Sequence, residues 1–112
     1  MVQRAKEYID RHYMNKITLH DIADELYVSP NYLSEQFKKH LGMKFSEYIL
    51  DVRMEKSKIY LRDVRYTISD VAEKVGFSDG RYFSNTFKKK YNISPSEYRN
   101  GFNVEENEDN NE

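Results

Sequence analysis

Apolar residues recur at helical spacing along nearly the whole chain, and no segment shows the strict alternation of a half-buried strand. Val2, Ala5, Ile9 and His12/Tyr13 share one face of a first segment that runs to about Met14. Leu19, Ile22, Ala23 and Leu26 mark a short second helix. Thr18 and Asp21 stand at the spacing of a capping box at its start, with hydroxyl and carboxylate each taking a backbone N–H. Ser29-Pro30 then places an N-cap residue before a proline fitted to the first helical turn, and Gly42 ends the helix they open. Phe45, Tyr48, Ile49, Val52 and Ile59 form one stripe of a longer helix reaching Leu61. Thr67 and Asp70 repeat the capping-box pattern for a helix to about Val75, and Gly76 breaks it. A further helix covers roughly Gly80 to Tyr91, and Ser94-Pro95-Ser96-Glu97 opens a short last one. The expected fold is all-α: two helix-turn-helix subdomains, seven helices in total, joined by a long linker helix. The expected boundaries are 1–44, 45–62 and 63–102, followed by a tail over 103–112.

Two parts of this pattern are copies of one another. Thr18, Leu19, Asp21, Ile22, Ala23, Leu26, Val28 and Ser29 match Thr67, Ile68, Asp70, Val71, Ala72, Val75, Phe77 and Ser78, 49 positions on. After a slip of one residue the spacing is 50, and Tyr32, Leu33, Ser34, Phe37, Lys38 and Lys39 match Tyr82, Phe83, Ser84, Phe87, Lys88 and Lys89. Met43, Ser46, Glu47 and Tyr48 continue the match to Ile93, Ser96, Glu97 and Tyr98. Two copies make a duplicated module, not a solenoid. Each copy is a short helix, a tight turn and a second helix that begins polar and ends in lysines, the helix-turn-helix arrangement. Gly76 suits a left-handed turn residue, whereas Tyr27 at the same place makes that conformation costly, so the two turns are expected to differ.

Composition first obscures the partner that such a unit implies. The 112 residues carry 18 Lys and Arg against 19 Asp and Glu, a formal charge of −1. Five of the acids (Glu105, Glu106, Glu108, Asp109 and Glu112) lie in the last ten residues, which hold no base. Residues 1–102 therefore carry +4, and the end reads as a disordered acidic tail, inert or a mimic of DNA. Sixteen aromatics argue against disorder of the whole. The absence of cysteine excludes disulfides, thiolate metal sites and cysteine nucleophiles. No membrane-span pattern and no signal-peptide core is visible, so the expected setting is cytoplasmic.

The chemistry sits on the second helix of each copy. Leu33, Phe37 and Leu41 point inward in one, Phe83 and Phe87 in the other. Asn31, Ser34 and Glu35 in the first copy, and Arg81, Ser84 and Asn85 in the second, point outward with side chains of the types that read base edges. Lys38, Lys39, Lys88 and Lys89, with Lys44 and Lys90, suit phosphates, as do the N-terminal turns of both helices. The tyrosines Tyr32, Tyr82, Tyr48 and Tyr98 fit a core at helical spacing, with the Tyr32 and Tyr82 hydroxyls also within reach of phosphate. Glu35 either reads the cytosine amino group or repels phosphates, the second being favoured. His12, His20 and His40 share no metal-binding spacing. No nucleophile elbow, phosphate loop or carboxylate pair supports an enzyme, and no cofactor or metal is expected. A helical protein-interaction module without DNA binding is the competing reading.

Arg53-Met54-Glu55-Lys56-Ser57-Lys58, then Ile68-Ser69-Asp70-Val71-Ala72-Glu73-Lys74-Val75-Gly76-Phe77-Ser78-Asp79, then Tyr82-Phe83-Ser84, Phe87-Lys88-Lys89 and Ser94-Pro95-Ser96-Glu97-Tyr98-Arg99 carry a resemblance. From about Lys16 to Tyr98, roughly three-quarters of the chain, the sequence resembles the DNA-binding domain of AraC/XylS-family bacterial transcription regulators. Ser29-Pro30-Asn31-Tyr32-Leu33-Ser34 with Phe37-Lys38-Lys39 is similar to the branch that ends two-component response regulators. The resemblance implies double-stranded DNA as partner, read in successive major grooves by a chain that binds asymmetrically. It also implies RNA polymerase as a possible partner, a sensor or receiver domain on the N-terminal side, and a monomeric isolated domain. The charge of +4 is lower than such a domain often carries.

Overall fold

The computed structural model describes residues 1–101 and contains helices and no strand among them. The expected acidic tail over 103–112 lies outside the described residues. The helices are α1 (Val2–His12), α2 (Leu19–Glu25), α3 (Pro30–Leu41), α4 (Phe45–Leu61), α5 (Ile68–Lys74), α6 (Gly80–Tyr91) and α7 (residues 95–101). The chain divides into two compact units, Met1–Arg53 and Met54–Glu112.

Local chemistry starts each helix where the sequence places it. The Thr18 hydroxyl accepts from the Asp21 N–H at 3.1 Å, and the Asp21 carboxylate accepts from the Thr18 N–H at 2.9 Å. Thr67 and Asp70 make the same reciprocal pair, and the Thr67 backbone N–H holds the Asp70 carboxyl below its usual range. Ser94 and Glu97 form a third such pair. In each unit the first short helix packs on the second, α2 on α3 and α5 on α6, and α1 also packs on α3.

In the first unit Ala5, Ile9, Ile22, Ala23, Leu33 and Phe37 are fully buried. Phe37 meets Tyr48 and Phe45 edge-on, with ring centroids 5.2 and 6.0 Å away. The second unit buries Met54, Leu61, Val71, Val75, Phe83 and Phe87 completely. Ser57 is buried with them, and its hydroxyl donates to the Met54 carbonyl at 2.6 Å, which meets the cost of burying a polar group. The inward stripe of α4 departs from the expected one: Ile59 is exposed, and the buried positions pass from Ile49 to Met54, Ser57 and Leu61. One continuous helix contributes to two separate cores, so no single stripe describes it.

The two turns do not differ as expected. Tyr27 adopts φ 59, left-handed like Gly76 at φ 98. The helix C-termini show the converse exchange, with Gly42 at φ 69 and Asn92 at φ 67. Each left-handed position thus holds glycine in one copy and a side chain in the other, because the duplicated backbone, not the residue, sets the geometry. Tyr27 bears the cost, roughly 1–2 kcal/mol for a residue with a Cβ, and the residue is 92% exposed, so little packing offsets it. Tyr27→Gly is expected to raise stability by about 1 kcal/mol, read as a higher urea midpoint with unchanged slope. An unchanged or lower midpoint would show that the ring contributes more than the strain costs.

Candidate nucleic-acid interface

The N-terminus of α3 is fixed by Ser29, whose hydroxyl accepts from the Tyr32 N–H at 3.1 Å, and by Pro30 in the first helical turn. With Leu33 and Phe37 buried, the opposite face is determined. Asn31, Ser34, Glu35 and Lys38 are all exposed on it, at the i, i+3, i+4, i+7 spacing that makes one helix face. Lys39 is exposed beside them.

The second unit builds the same face with different capping. Asp79, not Ser78, caps α6 and accepts from the Arg81 N–H at 2.9 Å. The one-residue slip between the copies therefore falls in the turn. Gly80 follows the cap because α5 approaches closely there: a Cβ at Gly80 would stand 3.3 Å from the Ser69 hydroxyl. Phe83 and Phe87 are buried, Arg81, Asn85, Lys88 and Lys89 are exposed, and Ser84 is half-buried. Ile68, Ser69, Asp79, Gly80, Arg81 and Ser84 line a shallow open depression at the start of α6.

Two expectations about this face change. Tyr32 and Tyr82 are exposed, 48% and 57%, and are not core residues. Each follows an N-terminal outward position by one residue, which puts its ring at the rim of the face; the Tyr82 ring leans on Phe77, centroids 5.4 Å apart. Tyr48 and Tyr98 are half-buried against Phe37 and Phe87. The helix N-termini are also less open to phosphate than expected. Ser29 and Asp79 occupy the Tyr32 and Arg81 amides, and the Asp79 carboxylate sets a negative charge at the first turn of α6.

Two arginines whose role was not legible in the sequence tie the scaffold together. Arg53 donates to the Tyr13 and Asn15 carbonyls at 2.8 and 2.9 Å, satisfying backbone just past the end of α1. Arg99 donates to the Leu61 and Asp63 carbonyls at 2.8 and 3.3 Å, doing the same past the end of α4. Their partners lie some 40 residues away in sequence, so no local pattern announces them. Beside the second clamp, Arg65 holds the Asp63 carboxyl down to about 2 through a side-chain hydrogen bond and ion pair.

Charge separates the units. Residues 1–53 hold eight bases and eight acids; residues 54–101 hold ten bases and six acids. The whole surplus of +4 in the described chain belongs to the second unit. Its reading helix ends in Lys88, Lys89 and Lys90, whereas the first ends in Lys38, Lys39 and His40. Among the described residues no cluster of three His, Asp or Glu side chains could hold a metal ion, and no helix is long and apolar enough to cross a membrane.

Two helix-turn-helix units built in this way define a nucleic-acid-binding class of domain. The model of the family described as "Helix-turn-helix domain" matches residues 22–101. The C-terminal domain of AraT, a response regulator from Geobacillus stearothermophilus, has a TM-score of 0.83 and 40% sequence identity, covering 89% of this chain and 84% of that one. A transcriptional regulator from Chromobacterium violaceum, of the proteins that contain an AraC-type DNA-binding domain, has a TM-score of 0.83 at 30% identity, covering 88% of each chain. The HTH-type transcriptional regulator YijO of Escherichia coli K12 is 37% identical over 99 residues, 88% of this chain and 35% of that protein. The chain belongs to the family of AraC-type helix-turn-helix domains. It spans about a third of the length of the curated relatives it matches first.

Proposed function

We propose that this chain is the sequence-specific DNA-binding module of a transcription regulator, each unit placing its second helix, α3 or α6, in a major groove. The observation that carries the reading is the recurrence, in both copies, of one exposed polar face backed by buried aromatic or aliphatic side chains and ending in paired lysines. Asn31, Ser34, Glu35, Arg81, Ser84 and Asn85 face bases. Lys38, Lys39, Lys88 and Lys89, with the Tyr32 and Tyr82 hydroxyls, face phosphates. On this reading the chain is a binding module and not an enzyme, acts in the cytoplasm, and needs no cofactor. Its length relative to its relatives supports a larger regulator in which a sensor or receiver domain controls the module and RNA polymerase responds to it.

Fluorescence anisotropy on duplexes enriched from a random-sequence pool tests the reading. Binding at low salt is expected, with the enriched duplex preferred to its scrambled counterpart. Arg81→Ala is expected to cost about 1–3 kcal/mol on the enriched duplex and little on the scrambled one, because arginine pairs with guanine O6 and N7. Equal losses on both would remove Arg81 from the base-reading set. No binding at low salt would favour a protein-interaction module instead.

A further inference from the structure

The duplication makes the chain its own comparison. Aligned at the 50-residue spacing, the outward positions of α3 and α6 are of two kinds. Ser34 and Ser84, Lys38 and Lys88, and Lys39 and Lys89 carry the same residue in both copies, as do the two rim tyrosines. Asn31 and Arg81, Glu35 and Asn85, and His40 and Lys90 are exposed in both copies but differ in chemistry. The last pair lies in the final turn of each helix, beyond the N-terminal residues with which a helix-turn-helix reaches base edges. DNA presents every reading helix with the same sugar–phosphate chain and with different base pairs. Positions that serve the backbone can keep one residue, and positions that serve bases are those that must diverge. The divergent pairs in the N-terminal part of the helices, 31 with 81 and 35 with 85, therefore hold the sequence information.

Glu35 is the sharpest of the four. Its side chain is exposed and makes no hydrogen bond or ion pair with another described residue, although Lys39 stands at the i+4 position that favours one. The Asp21 carboxylate, by contrast, is spent on the Thr18 N–H. A carboxylate only accepts hydrogen bonds. In the major groove guanine and thymine present acceptors, adenine sets an acceptor beside its donor, and cytosine presents the N4 donor.

We propose that Glu35 is a specificity-determining residue that selects cytosine in the half-site read by α3, while Asn85, at the matching position of α6, selects adenine. The inference rests on the DNA-binding reading and deepens it. The charge distribution is consistent with this division. Residues 1–53, of zero net charge, gain less from phosphates than residues 54–101 at +4, so the first unit's worth lies more in discrimination and the second supplies more of the affinity. An unpaired carboxylate fits the first unit: it is compensated over the cytosine donor, penalised over guanine and thymine, and only partly satisfied over adenine, whose donor stands beside an acceptor.

The test selects DNA duplexes from one random-sequence pool with the full chain and with Glu35→Asn, then measures anisotropy on the wild-type winner and on three duplexes altered at one C·G pair. Wild type is expected to favour cytosine at that pair by about 5- to 150-fold. Glu35→Asn is expected to move the preference there to adenine and leave the other positions unchanged. Glu35→Gln, whose amide also pairs with adenine, is expected to repeat the shift. Equal tightening on every duplex with the same winning sequence would show that the carboxylate only repels phosphates, and would overturn the proposal while leaving DNA binding intact. No enriched sequence with wild type at low salt would overturn the DNA-binding reading itself.

Discussion

Phe87→Ala is expected to destabilise the second unit by about 3–5 kcal/mol, the cost of emptying a fully enclosed aromatic site. The ring is fully buried and touches aromatic neighbours on three sides: Phe83 at 6.0 Å, Tyr91 at 4.7 Å and Tyr98 at 5.8 Å between centroids. Tyr91 is held from its far side, where its hydroxyl donates to Glu55 at 2.7 Å and the Lys58 ammonium lies 4.1 Å above its ring. The neighbours are therefore not free to collapse into the space. Folded proteins hold roughly 0.05–0.15 kcal/mol per residue, so a unit of this size has only a few kcal/mol to lose. The expected result is loss of near-ultraviolet circular dichroism and of DNA binding at 25 °C, with Phe87→Leu partly restoring both. A variant that melts within about 1 kcal/mol of wild type would show that the aromatic cluster rearranges around the cavity.

The features legible in the sequence are those whose physics is local. Thr18 with Asp21, and Thr67 with Asp70, announce themselves because both halves of each capping box lie within four residues. Gly42 was readable as a left-handed helix end because glycine carries no Cβ penalty. Asn92, at the same geometry, was not, since asparagine is only modestly favoured there. At α6 two adjacent residues, Ser78 and Asp79, are both suited to an N-cap, and Asp79 takes the role.

Non-local features escaped. Tyr27 takes the left-handed conformation that its residue type disfavours, and no local rule foretells that it shares the geometry of Gly76. The Arg53 and Arg99 clamps depend on carbonyls 36–40 residues away. The inward face of α4 changes because a second core begins partway along it. At the interface itself the helix faces were legible from Leu33, Phe37, Phe83 and Phe87, whereas the exposure of Tyr32 and Tyr82 was not, because aromatic periodicity alone does not distinguish a rim from a core.

Salt is expected to govern the complex about as strongly as the best single base contact. If Lys38, Lys39, Lys88 and Lys89 each neutralise one phosphate, log K should fall with log salt at a slope near −3.6, about 0.9 for each contact. Raising salt from about 50 to 200 mM then weakens binding roughly a hundredfold, on enriched and scrambled duplexes alike. The charge distribution further predicts an uneven sharing of affinity. Lys88 and Lys89 act among residues 54–101, which carry a net +4, while Lys38 and Lys39 act beside Glu35 among residues 1–53, whose net charge is zero. Lys88→Ala with Lys89→Ala should therefore reduce affinity at any one salt concentration more than the matching pair in α3. Both double variants should lower the slope by about 1.8, because the slope counts released counterions and not the strength of each contact. All four lysines are exposed, so the variants are expected to fold as wild type does, and circular dichroism checks this. Equal affinity losses from the two pairs would mean that the neutral unit binds the backbone as firmly as the charged one. An unchanged slope in either double variant would remove that pair from the phosphate contacts altogether.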